Sequence, residues 1–393
     1  MLRGTLAFLV LVLFAVLGTE LRGALLRRGL RAPAMEGISF LLVGFALGGS
    51  VLGLFPEDML HALRVVVLFG LAWIGLVFGV QVELRIIRRL APWHRRLGLG
   101  APLVLGVPVA AGAVILGLSP AVALGLAAVA MAPSPTSLEG LARGRAPRDR
   151  DTLRLLKLVM AFAGVPAVCV FAVATAVGSP LAAPSGGAVP VWHLGLFIVT
   201  VGVLVGYVLV VLVRGVREHI RLLTLALGTM CLVAGSSAVL GLSALPSAAV
   251  AGAVLVNRCV FPHRMLRVAH SLERPMLVAL LVLVGASWSG AAFSWAAFAL
   301  MTVVRCGAAV ALGAFLDRVA RARGLEIRTP GLGLGLLPQG ELALGLLVAG
   351  VTFFAGVEGI LEGVVAAIVV NNVIGQLWMR QRLFEDSARR SPP

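Results

Sequence analysis

Apolar stretches of about twenty residues, the length a helix needs to cross the hydrocarbon of a bilayer, recur along this chain from one end to the other. Thirteen can be marked, at about 4–21, 36–55, 62–83, 97–117, 120–139, 153–178, 190–213, 221–241, 243–258, 275–289, 292–316, 330–352 and 358–379. Hydrophobic residues make up 60% of the 393 positions and charged residues 13%, with a mean hydropathy of +1.04, whereas a soluble domain carries about 25% charged residues. The chain therefore reads as an all-α, polytopic membrane protein.

The connections between spans carry the orientation, because Lys and Arg collect in cytoplasmic loops. Arginine-rich segments lie at 22–31, 85–96, 143–157, 214–221, 258–274 and 318–328, and from Arg380 onward. The alternate connections hold Glu57 and Asp58, or the uncharged 179–190, or Glu358. Only Arg3, Arg64 and Arg305 fall off this pattern. The N-terminus is expected outside and the C-terminus inside, with 383–393 as a short cytoplasmic tail. The net charge of +16 then follows from topology and attraction to anionic lipid, and no soluble domain remains to bind nucleic acid. Arg3 before an apolar run mimics a signal peptide, but Gly18-Thr19-Glu20 is a poor cleavage site.

Two spans are built to break. In the twelfth, Gly331-Leu-Gly-Leu-Gly-Leu-Leu-Pro338-Gln339-Gly340-Glu341 combines a residue without an N–H, flexible glycines and a carboxylate. In the fifth, Ala132-Pro133-Ser134-Pro135-Thr136-Ser137 carries two prolines, which remove hydrogen bonds and leave carbonyls free. Interrupted backbone at membrane depth is tolerated only inside protein or along a cavity, and an ionisable residue there is a functional-site hypothesis. At 1.5 Å per residue, Ser134 lies about 20 Å from the outer end of its span and Glu341 about 17 Å from the inner end of its own, so both stand near mid-membrane.

If span seven, about 190–213, is a linker helix, spans one to six (about 4–178) and eight to thirteen (about 221–382) are two sets of six, with the broken span fifth in each. Seven spans apart means opposite orientation, the arrangement of an inverted repeat whose broken helices cross at a midplane site. Arg305, within span eleven, cannot lose its proton and must find carbonyls or a carboxylate; a clamp on the broken-helix ends fits it. Asn371 and Asn372 in the last span either cap polar atoms at the crossing or join helices. Gly44-x-x-x-Gly48 and Gly75-x-x-x-Gly79 read as close-packing faces.

Several chemistries are excluded. Cys169, Cys231, Cys259 and Cys306 stand singly, and the six histidines lie in loops or near span ends, so neither a disulfide framework nor a metal site is expected. No acidic cluster for metal-assisted catalysis occurs in the spans, and the chain is not expected to be an enzyme or to need a cofactor.

These residues resemble the cation/proton antiporter superfamily, specifically the bacterial sodium/hydrogen exchanger-like proteins with thirteen spans. Leu68 to Arg89, with Gly79-Val-Gln-Val-Glu-Leu, is similar to the family's third span; Ala128 to Glu139, with Ser134-Pro135-Thr136, to its first crossing helix; Leu245 to Asn257 and Glu273 to Gly285 to two later helices; and Leu337-Pro338-Gln339-Gly340-Glu341 to the second crossing helix. The resemblance implies a sodium/proton antiporter-like fold in the bacterial inner membrane, a homodimer with dimer and core domains, and exchange of a monovalent cation, Na⁺ or K⁺, against protons. It implies ion-binding roles for Ser134, Thr136, Gln339 and Glu341, with Glu341 proton-linked, and structural support from Pro133, Pro135, Arg305, Pro338, Gly340, Asn371 and Asn372.

One departure stands out. Relatives carry an acidic pair in the span after the first crossing helix, and the matching positions here are Ala163 and Gly164. Asp149 and Asp151 lie about 20 Å away along that helix, and the other acidic residues noted near the crossing spans, Glu83 and Glu139, are close to span ends. Two readings stand: a secondary transporter of a cation or another small solute, and a non-transporting relative serving as a membrane sensor or partner platform.

Overall fold

The computed structural model describes residues 36–48, 52–55, 63–142, 149–182, 189–216, 218–259, 262–288, 293–322, 331–354 and 359–384. They form α1 (Glu36–Leu47), α2 (Arg64–Val80), α3 (Leu84–Arg89), α4 (Pro92–Ile115), α5 (Pro120–Ala130), α6 (Pro135–Ala142), α7 (Arg150–Val177), α8 (Val191–Leu212), α9 (His219–Val239), α10 (Ala244–Arg258) and α11 (Pro262–Ala286). Then α12 (Trp295–Ala299) passes through a π-helical turn (Leu300–Val304) into α13 (Arg305–Ala322), and a 3₁₀ turn (Leu332–Leu336) precedes α14 (Glu341–Phe353) and α15 (Ile360–Leu383). The all-α expectation holds.

Eight helices among the described residues are long and apolar enough to cross a membrane. The rest of the thirteen expected spans are accounted for individually. The first, 4–21, lies outside the described residues; the second keeps only the 12 residues of α1; the fifth and twelfth are broken; the ninth, α10, has 15 residues. Several boundaries need correction. The segment 258–274, expected as a loop, is mostly the first half of α11, and α4, α7 and α13 likewise run into arginine-rich sequence. An apolar ruler stops at the first charge, but arginine is a good helix former and extends its head to water. In α11 the exposed His263, Arg267, His270 and Arg274 alternate with buried Met265, Val268 and Ala269 at helical spacing.

The chain divides into two units that interleave along the sequence: one within 1–89, 171–291 and 345–356, the other within 90–170, 292–344 and 357–393. In the first, glycines set the spacing. An added methyl at Gly75 or Gly79 would strike the backbone of α10, and one at Gly44 or Gly48 the backbone of α11, so both pairs serve as the sequence suggested. Gly202 and Gly206 give α8 the same closeness to α10. The helix ending at Val80 is interrupted before α3, and Asn257 bridges the gap, donating to Val82 O at 2.9 Å and accepting from Leu84 N at 2.8 Å. The second unit packs Leu105, Leu156, Met160, Ala309, Leu312, Leu336 and Met379 into one core. Both broken segments belong to it.

Candidate functional site

Both breaks form where the prolines require them. α5 ends at Ala130, the chain runs extended through Pro133 and Ser134, and α6 begins with Pro135 at its first position, where a missing N–H costs nothing. The 3₁₀ turn ends at Leu336, and Leu337 to Gly340 lead into α14. The two interruptions meet side by side as an antiparallel bridge between Pro133 and Gln339, with Ser134 N donating to Pro338 O at 2.7 Å.

Helix ends here leave carbonyls without intrahelical donors, and one side chain collects three of them. Arg305 is fully buried, 0% exposed. Its Nε donates to Ala130 O at 3.0 Å, Nη1 to Leu337 O at 2.7 Å and Nη2 to Leu336 O at 3.1 Å. The guanidinium fork thus fastens the C-terminal end of α5 to that of the 3₁₀ turn and offsets the partial negative charge of both. All three acceptors of this guanidinium are backbone carbonyls.

Amides pair further groups at the crossing. Gln339 Nε2 donates to Val129 O at 2.7 Å, and Gln339 N donates to Asn372 Oδ1 at 2.6 Å. Asn371 Nδ2 donates to Met301 O at 2.9 Å in the π-helical turn, and its Oδ1 accepts from Cys306 Sγ at 3.5 Å. Asn372 thus accepts from the backbone of the second break, and Asn371 bridges α15 to the π-helical turn. Pro338 packs its ring against Gly375.

The polar face of the crossing is made of oxygen. Ser134 is 2% exposed, and its Oγ caps α6 by accepting from Ser137 N at 3.2 Å, while lying 2.9 Å from Thr136 Oγ1. Thr136 itself is exposed. Gly340 lies against this hydroxyl: a methyl there would stand 2.6 Å from Ser134 Oγ. Glu341 follows as the first residue of α14, partly buried. Gln339 is 3% exposed, yet its Oε1 has no hydrogen-bond partner among the described residues.

Ala163 and Gly164 are both buried within the unbroken α7 and supply no carboxylate. Asp149 does not replace them, because it caps α7, its Oδ1 accepting from Asp151 N at 3.1 Å and Thr152 N at 3.0 Å. Sequence reasoning missed one acidic residue altogether. Glu362, in the first turn of α15, is buried within the unit that holds the crossing. Its sign in the sequence was a charge inside an apolar run, the same sign that drew attention to Glu341.

No protein-family model and no curated protein matches the sequence. Among solved structures, the chain is similar to the sodium proton antiporter MjNhaP1 from Methanocaldococcus jannaschii at pH 8, with a TM-score of 0.68 at 16% identity, covering 96% of this chain and 98% of that one. An electron-microscopy structure of the same antiporter gives 0.63 at 16% identity and 96% coverage of both chains. Likeness of this extent over a chain with two crossing interruptions means that the protein has a sodium/proton antiporter fold.

Proposed function

We propose that the protein is a secondary active transporter, and not an enzyme, that exchanges a monovalent cation, Na⁺ or K⁺, against protons at the crossing of the two broken segments. The observation that carries the reading is the buried Gln339 Oε1, an acceptor without a donor among the described residues, beside a face whose other groups are the hydroxyls of Ser134 and Thr136 and the carboxyl of Glu341. Such hard oxygen donors suit alkali cations. Glu341 is the proton-linked group in this reading, releasing its proton as the cation arrives and regaining it as the cation leaves.

The antiparallel meeting of the two breaks supports an inverted repeat of about 4–178 and 221–382 around the linker α8. The antiporter neighbours support a cation and protons as substrates, and by the same analogy we expect a homodimer in a bacterial inner membrane, N-terminus outside. Ala163 and Gly164 favour a second reading, in which the fold is kept as a non-transporting sensor or partner platform or carries another small solute.

Proteoliposomes loaded with a pH dye and challenged in turn with Na⁺, K⁺ and Li⁺ decide between them. Cation-dependent proton flux, lost in Glu341→Gln, is the expected result. Silence of correctly folded protein toward all three cations would end the antiport reading.

A further inference from the structure

Glu362 is 7% exposed, and its Oε2 has no hydrogen-bond partner among the described residues. Its position is the third of α15, where a glutamate ordinarily reaches back to the capping residue's N–H. The capping residue here is Gly359, which has no side chain to cap with and a φ of 77°. Among the described residues of the elements packed closely against α15, no basic side chain stands as a counter-ion. The elements packed closely against α15 are α12, the π-helical turn, the 3₁₀ turn and α6, and their only titratable side chain is the exposed Glu139. Beyond the π turn, Arg305 is committed to three carbonyls and Cys306 to Asn371. On α15 itself, Arg380 and Arg382 stand in the last turn.

The placement of Glu362 relative to the crossing follows from two bonds. Ser294 N donates to Gly359 O at 3.0 Å at the start of both helices, and Asn371 Nδ2 to Met301 O farther along, so α15 and α12 run parallel. Ten residues separate Glu362 from Asn372, which holds Gln339; that is about 15 Å of helix, half the hydrocarbon thickness. In the π turn, one residue beyond Met301 and so near the Asn371 end of this path, Thr302 Oγ1 is a second buried oxygen without a partner among the described residues.

We infer that Glu362 is a second proton-carrying carboxyl, serving the crossing from the membrane face where α15 begins. The inference rests on the transport reading of that crossing. In each passage the O–H bond of the Glu362 acid breaks as an O–H bond forms on an acceptor oxygen, water or the Thr302 hydroxyl, on the way to Glu341. The carboxylate left behind takes its next proton from water at the α15 end. The plainer role, a charge placed at a positive helix end, calls for neither burial nor a proton.

Two measurements on the full chain test this. Dicyclohexylcarbodiimide attacks protonated carboxyls in apolar surroundings, so the chain in nanodiscs is expected to be labelled at Glu362, as read by peptide mass spectrometry, with that label absent in Glu362→Gln. In proteoliposomes, Glu362→Gln is expected to lower the maximal exchange rate about tenfold or more without changing the half-saturating cation concentration, and Glu362→Asp to restore much of the rate. An unlabelled Glu362, or a Glu362→Gln variant exchanging at the native rate, overturns the proposal. Should the native chain move no cation, the transport reading falls on its own, and labelling still decides whether Glu362 holds a proton. Should Glu362→Gln fail to fold, labelling of the native chain and the rate of Glu362→Asp decide.

Discussion

The amide of Ser134 donates to the carbonyl of Pro338 across 2.7 Å, the one backbone hydrogen bond joining the two interrupted segments among the described residues. Pro133 and Pro338 have no N–H, so a ladder cannot extend from it. Side chains must therefore hold the crossing together.

Arg305 does most of that holding, and its loss should be felt as instability before it is felt in transport. Arg305→Ala leaves three buried carbonyls without donors, each worth about 1–3 kcal/mol, and a drop of roughly 10 °C in melting temperature follows from that scale. Arg305→Lys keeps the charge but cannot span the three acceptors, and should fall between. Thermal melts in detergent that superimpose for all three proteins would refute the clamp.

Gly340→Ala tests the closeness of the two segments. Its methyl would stand 2.6 Å from Ser134 Oγ and 2.9 Å from Ser134 Cβ, which must force the segments apart at a cost of about 1–3 kcal/mol. Exchange activity should fall about tenfold or more while the protein still purifies as folded material. Native activity in this variant would mean that the crossing opens freely.

Asn372 offers a finer probe, because it contributes a single acceptor to Gln339 N at 2.6 Å. Asn372→Ala should destabilise by about 1–3 kcal/mol through the unpaired amide. Asn372→Asp keeps the oxygen and adds a negative charge, so it should restore that hydrogen bond and raise cation affinity. Equal melting temperatures for the alanine variant and the native chain would contradict the bond.

Gly164→Asp restores a carboxylate at a position where the resemblance expects one. The site is buried, so the new charge destabilises the fold unless a cation accompanies it. The variant should melt lower than native in choline buffer and recover with Na⁺ or Li⁺, by about 2.7 kcal/mol at a hundredfold excess over the dissociation constant. A melting temperature indifferent to cations would separate Gly164 from the ion path.

What could be read from the sequence were the residues whose chemistry leaves few choices. Proline without an N–H dictated both breaks, and an arginine that cannot discharge dictated a clamp at Arg305. What escaped depends on neighbours distant in the chain. A charge inside the apolar run 358–379 marks Glu362, but its burial is decided by packing of α15 against other helices, α12 among them. The first half of α11 escaped because its apolar positions, Met265, Val268 and Ala269, are spaced along one helical face and form no continuous run. The orphaned Gln339 Oε1 could not be foreseen either, since it depends on the amide's other end being taken by Val129 O.

The π-helical turn at Leu300–Val304 sets the phase of everything after it. One residue more than an α-helix needs turns the following stretch by about 100°, so the turn fixes which side chain of α13 points inward. Drawing that turn into regular α-helix with no residue removed would swing Arg305 by about 100° onto a neighbouring face. The two interrupted segments would keep every residue of their own and lose the fastening between them.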